Sequence, residues 1–189
     1  MNKRYWVLVP GFMTLTLVLC AQQPPTAPVA NPITASEKGL YSFISGGVVR
    51  AAEKMPETNY DFKPTPEVRS FGQLVGHVAD ANYSFCSQAL GVDDPVKGIE
   101  KTKTTKADLV SALKGAVAYC NQAFDSMTDS KGSEMTKFAR FDLARLSLFS
   151  LNTAHTDEHY GNMVTYLRMK GIVPPTSENQ SAPPKSSPQ

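Results

Sequence analysis

Three histidines, His77, His155 and His159, are the whole imidazole content of this 189-residue chain. His155 and His159 stand four apart inside a long helical pattern. A helix makes one turn in ~3.6 residues, so an i, i+4 pair falls on one face with β-carbons ~5–6 Å apart. His77 falls on the inner face of an earlier helical pattern. Two imidazoles from one helix and a third from a neighbour make a three-nitrogen site for a divalent metal. Such a set leaves a coordination position open to water or substrate, which is the catalytic arrangement rather than the closed structural one.

Two other metal chemistries are tested by the same residues. His155-Thr156-Asp157-Glu158-His159 spells H-x-x-E-H, the inverted zinc-protease pattern, in which Glu158 would be general base. That pattern needs a further acidic ligand well downstream, and only Glu178 is available there. A di-iron carboxylate site needs Glu three residues before each histidine, and those positions hold Leu74, Asn152 and Thr156. A mononuclear three-histidine site therefore remains, with packing histidines as the bland alternative. Candidates for a proton-transfer partner are Tyr160, Glu158 and Asp80, and Tyr160 is expected to point off the ligand face.

Four amphipathic helices must position these groups. The first is predicted from about Ala35 to Met55, opened by a Thr34-x-x-Glu37 capping box and lined by Leu40, Ile44, Val48 and Ala51. Gly46 and Gly47 either weaken it or permit close backbone packing. The second starts at Ser70 with Gln73 completing an S-x-x-Q box, carries Phe71, Leu74, Val78, Ala81 and Phe85 as its stripe, and stops near Gly91. The third starts at Thr105, with Leu109, Leu113, Ala116, Cys120, Phe124 and Met127 on one face. The fourth runs from about Asp142 to Lys170 and stops at Gly171, with Leu148, Leu151, Asn152, His155, His159, Asn162 and Tyr166 together. Short extended pieces are expected only around Tyr60–Phe62 and Met135–Phe138. The fold class is all-α, a four-helix bundle spanning 34–173.

The connection from Val92 to Thr104 is long for a helix hairpin. Its 13 residues span ~43 Å when extended, against ~33 Å for helix two, so a crossover making helices two and three parallel is open. Cys86 and Cys120 would then lie at similar heights, 16 and 15 residues from their helix starts, and could form a disulfide. In an up-down hairpin they would be offset by several turns and would be two buried thiols.

The ends of the chain read differently. Residues 1–21 have a short basic start, an apolar stretch from Val7 to Leu19 and Ala21 as the small residue at a cleavage site, which reads as a signal peptide. A lipid anchor on Cys20 is the second reading and an uncleaved anchor the third. Export makes the mature protein periplasmic or extracellular, without a membrane span. It also removes Lys3 and Arg4, the two bases behind the formal net charge of +2. Neither net charge nor a basic-aromatic patch then suggests nucleic acid. Residues 22–33 form a proline-bearing linker, and residues 174–189 a polar, proline-rich tail expected to be disordered.

The segment Ser70-Phe-Gly-Gln-Leu-Val-Gly-His77-Val-Ala-Asp80, together with His155-Thr-Asp-Glu-His159-Tyr-Gly-Asn162 and Tyr166-Leu-Arg168, resembles the DinB-like family of metal-dependent four-helix bundles. This family is distinct from the DNA polymerase of the same name. The resemblance covers roughly Ala35 to Pro175. It implies an up-down-down-up bundle with His77, His155 and His159 as metal ligands, and zinc or nickel as the ion. The family continues its last histidine with a basic residue, Gly and Gln, where this chain has Tyr160, Gly161 and Asn162. Some relatives are thiol transferases in which the metal activates a low-molecular-weight thiol. The expected function is an exported metal-dependent hydrolase or transferase acting on a small molecule through an activated water or thiol. The alternative is a non-catalytic metal- or ligand-binding bundle, and a homodimer is open in either case.

Overall fold

The computed structural model describes residues 29–180. The expected signal peptide (1–21), Cys20 with its lipid-anchor alternative, residues 22–28 of the linker and residues 181–189 of the tail lie outside the described residues. Four long helices carry the fold: α1 (Pro32–Lys54), α2 (Phe71–Leu90), α4 (Lys106–Ser126) and α6 (Arg145–Met169). Two single-turn helices, α3 (Ile99–Thr102) and α5 (Asp129–Gly132), and a hairpin of β1 (Met135–Phe138) with β2 (Phe141–Ala144) join them. Among the described residues no helix is long and apolar enough to cross a membrane.

Local sequence sets most of the helix ends. The Ser70 hydroxyl accepts from Gln73 N at 3.2 Å, and Gln73 Oε1 accepts from Ser70 N at 2.9 Å, closing the expected capping box on α2. Gly91 ends α2 with φ +75°, and Gly171 follows α6 with φ +71°. Thr105 caps α4 by accepting from Asp108 N. Helix α1 departs from expectation. Its expected Thr34–Glu37 box is absent, and Thr34 lies inside the helix and is buried. Its first N–H groups are satisfied from far away, because the Asp129 carboxylate accepts from Ile33 N at 3.1 Å and Thr34 N at 2.8 Å. A carboxylate at a helix N-terminus meets both the orphan donors and the positive end of the dipole. No local pattern could signal a cap lying 95 residues away.

The buried face of α1 keeps Val48 and Ala51 of the expected stripe but departs from it toward the helix start. Tyr41, Ser45, Val48, Ala51 and Ala52 face inward, whereas Leu40 is 59% exposed. The glycine pair serves close packing, since a Cβ on Gly47 would stand 3.4 Å from the Tyr160 ring. Helix α6 begins three residues later than expected, because Asp142–Ala144 pair with Met135–Lys137 in the hairpin. Phe138 of that hairpin stacks on Phe85 with centroids 5.5 Å apart, which holds the hairpin to α2. The extended piece expected at Tyr60–Phe62 is a turn after a 3-10 turn at Glu57–Asn59, with Tyr60 buried and its hydroxyl donating to Ala52 O. The tail expected to lack structure contributes a 3-10 turn, Pro175–Gln180, held by Thr176 on the Tyr160 hydroxyl and by Glu178 on Lys54.

Helix α2 is central. Near their starts, α2 and α4 meet where Gly72 approaches Leu109. Near their ends Cys86 and Cys120 are joined by a disulfide with Cα atoms 5.4 Å apart. The two helices therefore run the same way, as the crossover reading required. Helices α2 and α6 run oppositely: Arg145 reaches Ala89 O at one end, and Tyr166 donates to Arg69 O at the other. Two apolar clusters fill the interior, one around Phe71, Val75, Leu113 and Leu167, the other around Tyr41, the disulfide, Phe124 and Phe149. Between them sit fully buried polar groups, Asn82, Asn152 and Thr156. The Tyr41 hydroxyl and the Asn152 amide both donate to Asn82 Oδ1, at 2.6 and 3.0 Å. These bonds through Asn82 tie α1, α2 and α6 together, although Asn152 Oδ1 is buried without a protein hydrogen-bond partner.

Candidate metal centre

All three predicted ligands converge. His77 comes from the second turn of α2, His155 and His159 from the middle of α6. Because α2 and α6 run oppositely, these positions lie at one level. His155 Nε2 is the hub, 3.1 Å from His77 Nε2 and 3.1 Å from His159 Nε2. Their donor atoms all fall within 4.8 Å of one another, and among the described residues these three form the group able to hold a metal ion. Ligand bonds of ~2.0–2.1 Å to one central ion put nitrogens ~3 Å apart, so the spacing around His155 suits common coordination.

Burial disfavours the protonated forms of His155 and His159. It pushes His155 down to about 4, helped by the neighbouring charges of His159 and His77. His159 is lowered as well, chiefly by burial and then by His77. A neutral imidazole offers a lone pair, which is the form a metal requires. One consequence concerns the metal-free protein. A histidine depressed on folding contributes stability that is present above its unfolded value near 6.5 and is lost as pH falls toward about 4. The melting temperature of chelator-treated protein is expected to fall from pH 7 to pH 4.5. His155→Gln is expected to flatten part of that fall; an unchanged profile would show that His155 does not contribute.

The outer ring nitrogens meet three different surroundings. His77 Nδ1 is 3.2 Å from Glu100 Oε2. His155 Nδ1 is buried and has no protein hydrogen-bond partner. His159 Nδ1 is 3.3 Å from the Asn162 amide. When His159 offers Nε2 as a ligand its proton resides on Nδ1, and Asn162 must then present Oδ1 to it, a simple 180° turn of the amide. Phe85 walls the centre on the hairpin side, its ring 5.7 Å from that of His155. On the other side His159 borders a cleft of about 650 Å³ shared with Arg69, Gln73, Glu158, Asn162 and Tyr166.

The three candidates for proton transfer separate. Glu158 is exposed and lines the cleft beside His159. Asp80 is committed elsewhere: its two carboxylate oxygens accept from Ile99 N at 2.8 Å and Glu100 N at 2.9 Å. Tyr160 faces α1 and the tail, bonded to Thr176, and does not face the histidines. Glu178, the one downstream acid that the protease pattern could have used, is paired with Lys54. Glu100 and Arg69 are the polar neighbours of the centre that sequence reasoning missed. Glu100 lies in the connection read as a spacer, where no periodicity marks a residue as inward-facing.

A family model described as DinB superfamily matches residues 47–163. Among solved structures, a DinB-like protein from Bacillus cereus is similar with a TM-score of 0.68 at 12% identity, over 75% of this chain and 95% of that one. YjoA, a DinB-like protein from Bacillus subtilis, gives 0.62 at 20% identity, over 73% and 93%. A mycothiol-dependent maleylpyruvate isomerase gives 0.59 at 14% identity, over 69% of this chain and 60% of that one. At these identities the likeness is one of fold. A comparison with curated proteins gives no significant match.

Proposed function

The chain belongs to the DinB superfamily, and from that premise we propose that it is an exported metal-dependent enzyme, a hydrolase or transferase that acts on a small molecule at His77, His155 and His159. The observation that carries this reading is the hub of three Nε2 atoms around His155, built from two helices and bordered by a cleft. We read the ion as zinc or nickel, both of which accept imidazole donors. Held there, it would supply Lewis-acid polarisation and favour the deprotonated form of a water or thiol brought to it. The chain's own residues supply the rest. Burial disfavours the charged forms of His155 and His159, the Phe85 ring stands beside that of His155, and Glu158 stands at the cleft wall within range of an incoming substrate.

The structural neighbour named as a mycothiol-dependent isomerase supports the thiol form of the reading. The disulfide between Cys86 and Cys120 supports export, because buried disulfides persist in oxidising compartments. It thereby favours water over a cytosolic thiol as the activated group. We read the four long helices as an up-down-down-up bundle, supported by the like direction of α2 and α4 and the opposite direction of α2 and α6.

The test is metal analysis followed by substitution with Co(II). One equivalent of metal per chain is expected. The cobalt form should change its visible spectrum when azide or a small thiol is added, which reports an open position. Stoichiometric metal with a spectrum inert to both would favour a non-catalytic binding bundle. Protein without metal, unable to take it up, would sink the proposal.

A further inference from the structure

The ring of His77 stands at the end of a chain of contacts that begins in the connection between α2 and α4. Asp80, one turn after His77 on α2, directs both carboxylate oxygens at the backbone of the α3 turn, fixing Ile99 N and Glu100 N. Gly76, just before His77, is pressed against the same turn: a Cβ there would lie 2.7 Å from Glu100 Cα. Only glycine permits that approach without moving the turn. Glu100 is thus clamped against α2 from two sides. Its Oε1 accepts from Arg69 Nε at 2.9 Å, and its Oε2 is left facing His77 Nδ1 at 3.2 Å.

We propose that Glu100 is a positioning residue that holds His77 in the Nδ1–H form and so aims its Nε2 lone pair at the point shared with His155 and His159. Neutral imidazole carries one proton on either nitrogen, and the partner of the outer nitrogen decides which. A carboxylate accepts only, so it selects the tautomer with the proton on Nδ1. It also restrains rotation of the ring and raises the basicity of the opposite nitrogen. His155 and His159 have no carboxylate at their outer nitrogens, so among the three this anchoring is particular to His77. Arg69 and Asp80 act one step further out by fixing the carboxylate. The inference rests on the metal reading for its purpose, but the tautomer it predicts exists with or without metal.

The experiment exploits that independence. Full-length protein, ¹⁵N-labelled at histidine, is stripped of metal, and the tautomer of each ring is read from long-range ¹H–¹⁵N spectra. Affinity for Zn(II) is then measured by competition with a chromogenic chelator. In the wild type His77 is expected as the Nδ1–H form. Glu100→Ala should shift His77 toward the other tautomer and weaken zinc binding about 10- to 100-fold, while the His159 signals stay in place. Glu100→Gln, whose amide oxygen still accepts, should keep the tautomer and lose less affinity. It also serves if the alanine variant folds poorly. Gly76→Ala, which displaces the turn, should mimic Glu100→Ala. A His77 tautomer that is the same in wild type and Glu100→Ala, with zinc affinity changed less than twofold, would overturn the proposal. A tautomer shift in a protein that never takes up zinc would uphold the positioning of His77 and overturn the metal reading instead.

Discussion

His155→Ala is expected to abolish stoichiometric metal uptake while leaving the metal-free protein about as stable as the wild type. His155 Nε2 is the nitrogen common to both short contacts, so its removal leaves two donors that no longer share a neighbour. The loss in affinity should exceed the ~10–100-fold typical of changes beyond the ligands themselves. The folded state without metal loses little. The ring's Nδ1 is buried without a protein partner, and burial already disfavours its charged form, so alanine removes an unsatisfied polar group along with its packing. The two effects separate in a melting experiment. Wild type should gain ~4 kcal/mol at a metal concentration 1,000 times its dissociation constant, and the variant should gain almost nothing. Tyr160→Phe is the control, because Tyr160 holds the tail and not the centre. Equal metal content in wild type and His155→Ala would remove the basis for a three-histidine site.

Loss of the Cys86–Cys120 bridge is expected to cost about 3–4 kcal/mol. The bridge closes a loop of 34 residues, and the chain-entropy relation gives a value of that size for such a loop. It joins α2 to α4 inside the second apolar cluster, with both sulfurs fully buried. The double variant Cys86→Ala/Cys120→Ala should therefore melt roughly 10 °C lower, at a few °C per kcal/mol for a chain of this length. The Asn152 amide lies 3.5–3.6 Å from the two sulfurs, so part of the loss comes from loosening the polar network on α6. Metal stoichiometry should survive, because Leu74, Val75 and Val78 on α2 and Met163 and Leu167 on α6 belong to the other cluster and still pack the helices that carry the histidines. A wild-type melting curve unmoved by strong reductant under denaturing and refolding conditions would show that the bridge adds nothing.

Some features of this protein were legible without coordinates because they depend on short-range order. The caps at Ser70 and Thr105, the stops at Gly91 and Gly171 and the shared face of His155 and His159 follow from neighbours within one turn, which a linear chain displays directly. His77 was assigned from its position beside an apolar stripe, and the opposed α2 and α6 bring it to the others. The errors on α1 have the opposite origin. Its cap is Asp129, from another part of the chain, and Tyr41 rather than Leu40 faces inward, its hydroxyl donating to Asn82 Oδ1. The hairpin that shortens α6 packs on α2 through Phe138 and Phe85, a contact between distant parts of the chain.

Residue types and helical period alone put His155 and His159 on one face of a helix and His77 on the inner face of another. Tertiary structure decided which polar groups surround them. Asp80 became a clamp for a turn, Tyr160 a peg for the tail, and Glu100, in a segment without periodicity, the carboxylate on His77. The reason is physical: periodicity encodes which way a side chain leaves its own helix, but a hydrogen-bond partner from a connecting segment is specified only when the helices have packed and the distance between them is set.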